Sequence, residues 1–327
     1  MDFKDSPEEA TFRDQAATWL KANVPAPAEL EGLSEMERGK LWQKRKADAG
    51  WACIRWPEEY GGRGANAIQQ VILNQEESKV AAPATGQFSI GQGMAAPTMM
   101  TWATEEQKTR FLPKHAAGEE IWCQLFSEPG SGSDAAALRS QATRTNEGYQ
   151  LNGTKAFISG GGYSDAYIVM ARTGAEGPKG ISAFILEAGS DGLSYGALED
   201  KMGWRAQPTA QVQFDACPIP AQNLLGEEGK GFQYAMDGLD GCRLNIAASA
   251  LGGAEQALQS TLAYMGERKA FGKAILDFQN TRLVVSSGTR PSERSNRSSA
   301  PKIDRVPTPV RSTRSSPCSQ MRRIRSR

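Results

Sequence analysis

The sequence predicts an α+β fold: an N-terminal helical domain, a middle antiparallel β-barrel-like domain, an incomplete C-terminal helical bundle and a disordered tail. Three observations predict it. Apolar residues recur at helical spacing behind capping boxes up to about residue 120. Short β-rich runs punctuated by glycine follow, as far as about residue 226. Helical spacing then returns at Gly229 and fails after Arg282. The predicted divisions are therefore 1–120, 121–226, 227–282 and 283–327.

The first domain opens at Ser6-Pro7-Glu8-Glu9, an N-cap, a proline suited to the first helical position and a glutamate that closes the box. Phe12, Ala16, Trp19 and Leu20 then fall on one face. Ser34-Glu35-Met36-Glu37 repeats the box ahead of Leu41 and Trp42. Trp51 to Gly64 reads as an aromatic-rich loop, and helices are predicted over Ala67 to Val80 and Thr104 to Leu112.

In the middle domain, strands are predicted over Ile121 to Phe126, Tyr149 to Ser159, Ala166 to Arg172, Ile181 to Glu187 and Gln211 to Phe214. Asn152-Gly153, Gly160 to Gly162 and Gly189 to Gly192 serve as turn and bulge signals. From Gly229, Phe232, Met236, Leu239, Arg243 and Ile246 step by three or four, which sets Asp240 and Arg243 three apart on one helix. A second helical segment is expected through Leu262 and Tyr264 into Glu267–Lys273. Beyond Ser286 no apolar period survives, so disorder is expected there.

Composition narrows the function. At 327 residues the chain can bury two or three cores, and no run is long and apolar enough to span a membrane. Met1 to Asp5 lacks a signal or transit pattern, so a cytoplasmic location is expected. The five cysteines are scattered without a CxxC pair, which argues against a zinc site and a disulfide framework; no metal site is expected. His115, the sole histidine, reads as a solvated surface residue. The net charge of +1 is divided: residues 283–327 hold 11 Lys and Arg against 2 Asp and Glu, and the body is acidic.

The chemistry concentrates at Cys123 to Asp134, CQLFSEPGSGSD. An apolar strand end runs into a Gly/Ser loop of the kind that can turn N–H groups inward as an anion nest, with hydroxyls at Ser127, Ser131 and Ser133. The full string resembles the flavin signature of the acyl-CoA dehydrogenase family, and the likeness extends from about residue 5 to residue 282. From Phe157 onward, and most clearly over Gly238–Ile246, it resembles the short branched-chain branch, of the isobutyryl-CoA dehydrogenase type.

The resemblance implies FAD as cofactor, cradled by Gln124, Leu125, Phe126, Ser127, Gly132 and Ser133. It implies a second flavin strand at Phe157, Ile158 and Ser159, with Phe157 where the family usually carries tryptophan. Arg268, Phe271 and Gln279 match the segment that reaches the flavin of a neighbouring subunit. Asp240 and Arg243 match the pair that holds the pantetheine arm of acyl-CoA, with Ser133 near the thioester. Fatty-acid or branched-chain amino-acid degradation, an electron-transfer flavoprotein as acceptor and a tetrameric assembly come with the likeness.

The likeness also implies a missing part. The family's base is a glutamate either just before the substrate arginine, here Cys242, or late in the third domain, beyond the family-like sequence. No catalytic residue is therefore assigned, and no dehydrogenase turnover is expected from this chain alone. A truncated chain whose end is replaced through a shifted reading frame is the favoured account, and loss of the bundle is expected to weaken the tetramer. The rival is a non-catalytic flavin- or CoA-binding module whose basic tail contacts nucleic acid or acidic partners. Nucleic acid is not favoured, because the tail lacks aromatic residues for base stacking.

Overall fold

The structure, a computed structural model, describes residues 5–205 and 207–288, with the side chains of Asp240 and residues 284–288 outside the description. It divides into two compact units that meet at Leu251 and Gly252 in sequence. In the first unit, α1 (Pro7–Asn23), α2 (Glu35–Asp48) and α3 (Ala67–Glu77) each start at a complete capping box, on Ser6, Ser34 and Asn66. The box satisfies two backbone donors that the first turn of a helix leaves without partners. Phe12, Ala16 and Leu20 of α1 are buried with Trp42, Trp51, Ile54, Ile72 and Leu73. Trp19 stacks on both Trp42 and Trp51, at 5.6 and 5.8 Å between ring centroids.

Gly86 to Trp102 carries helical structure that the sequence reading left unassigned. A π-turn over Gly91–Ala95 leads into α4 (Ala96–Trp102). Gly91, Gly93 and Pro97 break the local propensity there, and packing supplies what propensity does not. α5 (Glu105–Ala116) follows, capped by Thr104.

His115 is not a surface residue. It is 2% exposed, with its ring stacked on Trp56 at 5.9 Å. Its Nδ1 lies 2.8 Å from the Glu120 carbonyl. A carbonyl can only accept, so the proton sits on Nδ1, and Nε2 is buried without a partner among the described residues. A polar local sequence concealed a helix face that turns inward.

The middle domain holds β1 (Trp122–Leu125), β2 (Gln141–Arg144), β3 (Gly148–Ser159), β4 (Ala166–Arg172), β5 (Ile181–Glu187), β6 (Leu193–Tyr195), β7 (Thr209–Pro220) and β8 (Leu224–Leu225). The sheet runs β6-β7-β3-β2-β4-β5-β8, with β1 on β4. Most pairings are antiparallel, but β1 lies parallel to β4, Trp122 opposite Ala166, so the sheet is mixed. The chain between β1 and β4 is long enough to return in the same direction through β2 and β3. β4 and β5 are almost wholly buried, as their continuous apolar runs require. In the turn before β7, Trp204 takes φ 55° and stays 66% exposed, while the Lys201 ammonium donates to its carbonyl at 2.8 Å.

α6 (Gly231–Glu267) is one continuous helix where two segments were expected. Its start packs on β5 so closely that a Cβ on Gly231 would lie 2.4 Å from the Ser182 carbonyl carbon. The second unit contains the rest of α6 from Gly252, then a tight hairpin of β9 (Lys269–Ala270) and β10 (Lys273–Ala274) and α7 (Gln279–Gly288). Phe271 and Gly272 between the strands both have positive φ, 51° and 81°, which suits a tight hairpin turn and ends the expected helical continuation. α7 passes the expected boundary at 283. The tail expected to be disordered spans 283–327; its first residues, to Gly288, belong to α7, and the rest lies outside the described residues.

Candidate functional site

The site is built on the end of β1. Leu125 and Ile158 of β3 are buried in the sheet core, so their side chains face inward and leave only backbone to the surface. Gln124 is 8% exposed, and its amide approaches the Thr98 hydroxyl at 3.4 Å. Phe126 and Ser127 then emerge and begin the loop.

That loop is held differently from a glycine nest. Neither Gly130 nor Gly132 has a positive φ, and a Cβ on either would meet nothing within 4 Å. Glu128 and Ser131 exchange backbone hydrogen bonds at 2.8 and 3.1 Å, and the Ser131 hydroxyl donates to the Asp134 carbonyl at 2.5 Å. Ser131 is thus an internal tie rather than an outward donor.

Glu128 is the loop's anchor. Its carboxylate accepts from the backbone N–H of Arg139 at 2.6 Å and of Ser140 at 3.0 Å, and from the Lys155 ammonium at 2.8 Å. Lys155 is fully buried, and it also donates to the Phe126 carbonyl at 3.2 Å. Burial pushes the Lys155 pKa down to about 8, opposed by the charge of Glu128. Burial works to raise Glu128, but Lys155 and the hydrogen bonds together hold it below the usual carboxylate value.

Beside this pair, β3 is bulged between Lys155 and Ile158. The bulge throws Phe157 outward with φ 56°, leaving its ring 72% exposed. A bulky residue in the left-handed region carries local strain, which the flanking sheet has to impose.

Across from the loop, α6 brings Phe232, Met236, Leu239 and Arg243 to one wall of a cavity of about 480 Å³. Phe126, Ser127, Gly132 and Ser133 form the opposite wall, and Leu138, Met170 and Ile181 close it from the sheet side. The interior is mostly apolar, with hydroxyls and one guanidinium as its polar groups. Among the described side chains no carboxylate lines it.

Of the predicted residues, the cavity gathers Phe126, Ser127, Gly132, Ser133 and Arg243. Asp240 lies on the same helix, with its side chain outside the description. Cys242 is half-buried next to Arg243. Arg268, Phe271 and Gln279 belong to the second unit, where Phe271 is 97% exposed. The sequence reading missed Glu128 and Lys155. A lysine at an inward position of a strand was the available signal.

No ligand is present, but the residues fit a flavin on their own chemistry. The hydroxyls of Ser127, Ser133 and Ser159 have no hydrogen-bond partner among the described residues. They lie on the same loop and bulged strand as the exposed ring of Phe157. Such a set suits an aromatic ring system with a polar edge. Among the described residues no group of acidic, histidine and cysteine side chains could hold a metal ion. No described helix is long and apolar enough to cross a membrane.

Comparisons with known proteins agree along the chain. Models of the acyl-CoA dehydrogenase N-terminal, middle and C-terminal domains match residues 6–119, 123–217 and 229–287. The chain is 42% identical to the mitochondrial isobutyryl-CoA dehydrogenase of Dictyostelium discoideum over 74% of its own length and 58% of that protein's. It therefore spans less than two thirds of that relative. Butyryl-CoA dehydrogenase from Megasphaera elsdenii superposes with a TM-score of 0.73 at 34% identity, over 88% of this chain and 76% of that one. PigA, solved with FAD and proline, superposes at 0.74 with 25% identity, over 88% and 76% of the two chains.

Proposed function

The chain belongs to the acyl-CoA dehydrogenase family, whose members are FAD flavoproteins, and from that premise we propose that it binds FAD and an acyl-CoA thioester. The observation that carries this reading is the cavity that sets Ser127 and Ser133 of the signature loop opposite Arg243 of α6. Apolar walls suit an acyl chain and pantetheine arm, and the few polar groups fix its orientation. Ser127, Ser133, Ser159 and the Phe157 ring would hold the flavin, with Arg268, Phe271 and Gln279 as candidates toward a second copy. Arg243, Asp240 and Ser133 would hold the thioester arm.

When bound, FAD supplies the acceptor for a hydride from the β-carbon. The protein's own task is to orient the thioester, exclude water and remove the α-proton. Removal needs a base matched to that proton. Among the described side chains the cavity lining offers no carboxylate, and Cys242 stands where the family resemblance puts one. A thiol is a poor substitute, so we propose that turnover is impaired while binding persists. An electron-transfer flavoprotein as electron acceptor, a cytoplasmic setting and a homo-oligomer belong to the same reading.

The test is to titrate purified chain with FAD and then with short and branched acyl-CoA thioesters. Saturable flavin binding with weak or absent turnover is expected. Turnover at the family's usual rate would remove the claim of impairment, and failure to bind FAD would remove the reading as a whole.

A further inference from the structure

We propose that the buried Lys155–Glu128 pair is a positioning device that sets the signature loop and the Phe157 bulge as one unit, so that flavin affinity depends on it. This deepens the reading above and rests on it. The pair joins two segments 27 positions apart in sequence, the loop after β1 and the middle of β3.

The contacts show what is coupled. Lys155 grips the loop twice, at the Glu128 carboxylate and the Phe126 carbonyl. Ala156, its neighbour, donates its backbone N–H to the Ser127 carbonyl at 2.9 Å. Glu128 extends the grip to the backbone of Arg139 and Ser140, just ahead of β2. The residue after Ala156 is Phe157, at the strained bulge. Both ends of the candidate flavin surface, Ser127 and Phe157, thus flank the same ion pair.

A buried ion pair is weak evidence of added stability. Two charges taken out of water recover their lost hydration only with full hydrogen bonding, and apolar residues of similar volume often do as well or better. Fixing one arrangement among several is what a buried pair can add that an apolar core does not. Here it adds side-chain ties between a loop whose glycines are open and conformationally ordinary and a strand of the sheet.

The experiment compares the full chain with Lys155→Met and with Lys155→Met/Glu128→Gln, which leaves no unpaired buried charge. Hydrogen exchange in the flavin-free proteins reads the hydrogen-bonded amides of Glu128, Ser131 and Ala156 against those of β4 and β5. The expected result is at least tenfold faster exchange in the first set with the second unchanged. FAD affinity, followed by flavin fluorescence, should fall at least tenfold. If the single variant does not fold, the double variant alone decides. Unchanged loop exchange, or faster exchange with unchanged FAD affinity, would overturn the proposal. A wild-type chain that takes no FAD would instead overturn the functional reading, and the exchange measurement would still decide the clamp.

Discussion

Cys242 immediately precedes Arg243 on α6, and Arg243 lines the cavity. A carboxylate placed at 242 would stand where the family resemblance puts a base. Cys242→Glu should therefore raise acyl-CoA turnover by about a hundredfold over the parent chain, within the range a positioned base supplies. Steady-state assays with a dye acceptor would check it, and unchanged turnover with retained flavin would count against 242 as a base position.

His115 makes a second prediction at this scale. Burial lowers its pKa to about 4, opposed by the Glu120 carbonyl and carboxylate. The unfolded chain, with an ordinary histidine pKa of 6.5, binds more protons between those values. Stability from this group is thus complete above about pH 6.5 and is lost as pH falls toward 4, on the order of 3 kcal/mol in all. Denaturant titrations at pH 7 and pH 5 should show the loss, and it should shrink in His115→Gln. A sequence could not reveal this, because the burial of a lone polar residue depends on which face of α5 meets Trp56.

At the level of elements, the placement of Arg243 depends on how α6 begins. Gly231 leaves no room for a side chain, since a Cβ there would lie 2.4 Å from the Ser182 carbonyl carbon and 2.6 Å from the Ala183 nitrogen. Both are backbone atoms of a buried strand and cannot swing aside. Gly231→Ala should cost about 1–3 kcal/mol and weaken acyl-CoA binding by shifting the cavity wall. A melting curve and a binding isotherm on one preparation would check both. A variant that melts and binds like the parent would show that the helix start adapts freely.

The elements also show which parts of the fold were readable. The limits of β4 and β5 match the sequence reading because buried strands carry unbroken apolar runs. The capping boxes at Ser6 and Ser34 fixed the starts of α1 and α2 for a local reason. β2, β6 and β8 escaped notice because they are short and draw their partners from distant sequence. The hairpin at Phe271-Gly272 was read as helix because its charged flanks hid a turn that needs two residues with positive φ.

On the scale of the whole molecule, the candidate site draws on pieces scattered from Phe126 to Arg243. The signature loop could be found as a string. Its partners could not, since Leu138, Met170 and Ile181 look like ordinary sheet residues until the strands are ordered. The buried pair was hidden for the same reason: Lys155 resembles any polar residue of a strand until Glu128 is brought to it. Saturating FAD should raise the melting temperature of the chain in a concentration-dependent way, by mass action on the folded state. A melting temperature indifferent to FAD at millimolar concentration would be incompatible with the proposed function.

Trp204 gives this chain an optical handle. Of its seven tryptophans, Trp204 alone is exposed, held outward at positive φ by the Lys201 contact to its carbonyl. Iodide dissolved in the buffer collides with that indole long before it reaches Trp42 or Trp122. The most readily quenched emission therefore reports on the turn before β7, ahead of that from half-buried Trp19 and Trp102. Changes in that turn can be watched in solution without attaching any label.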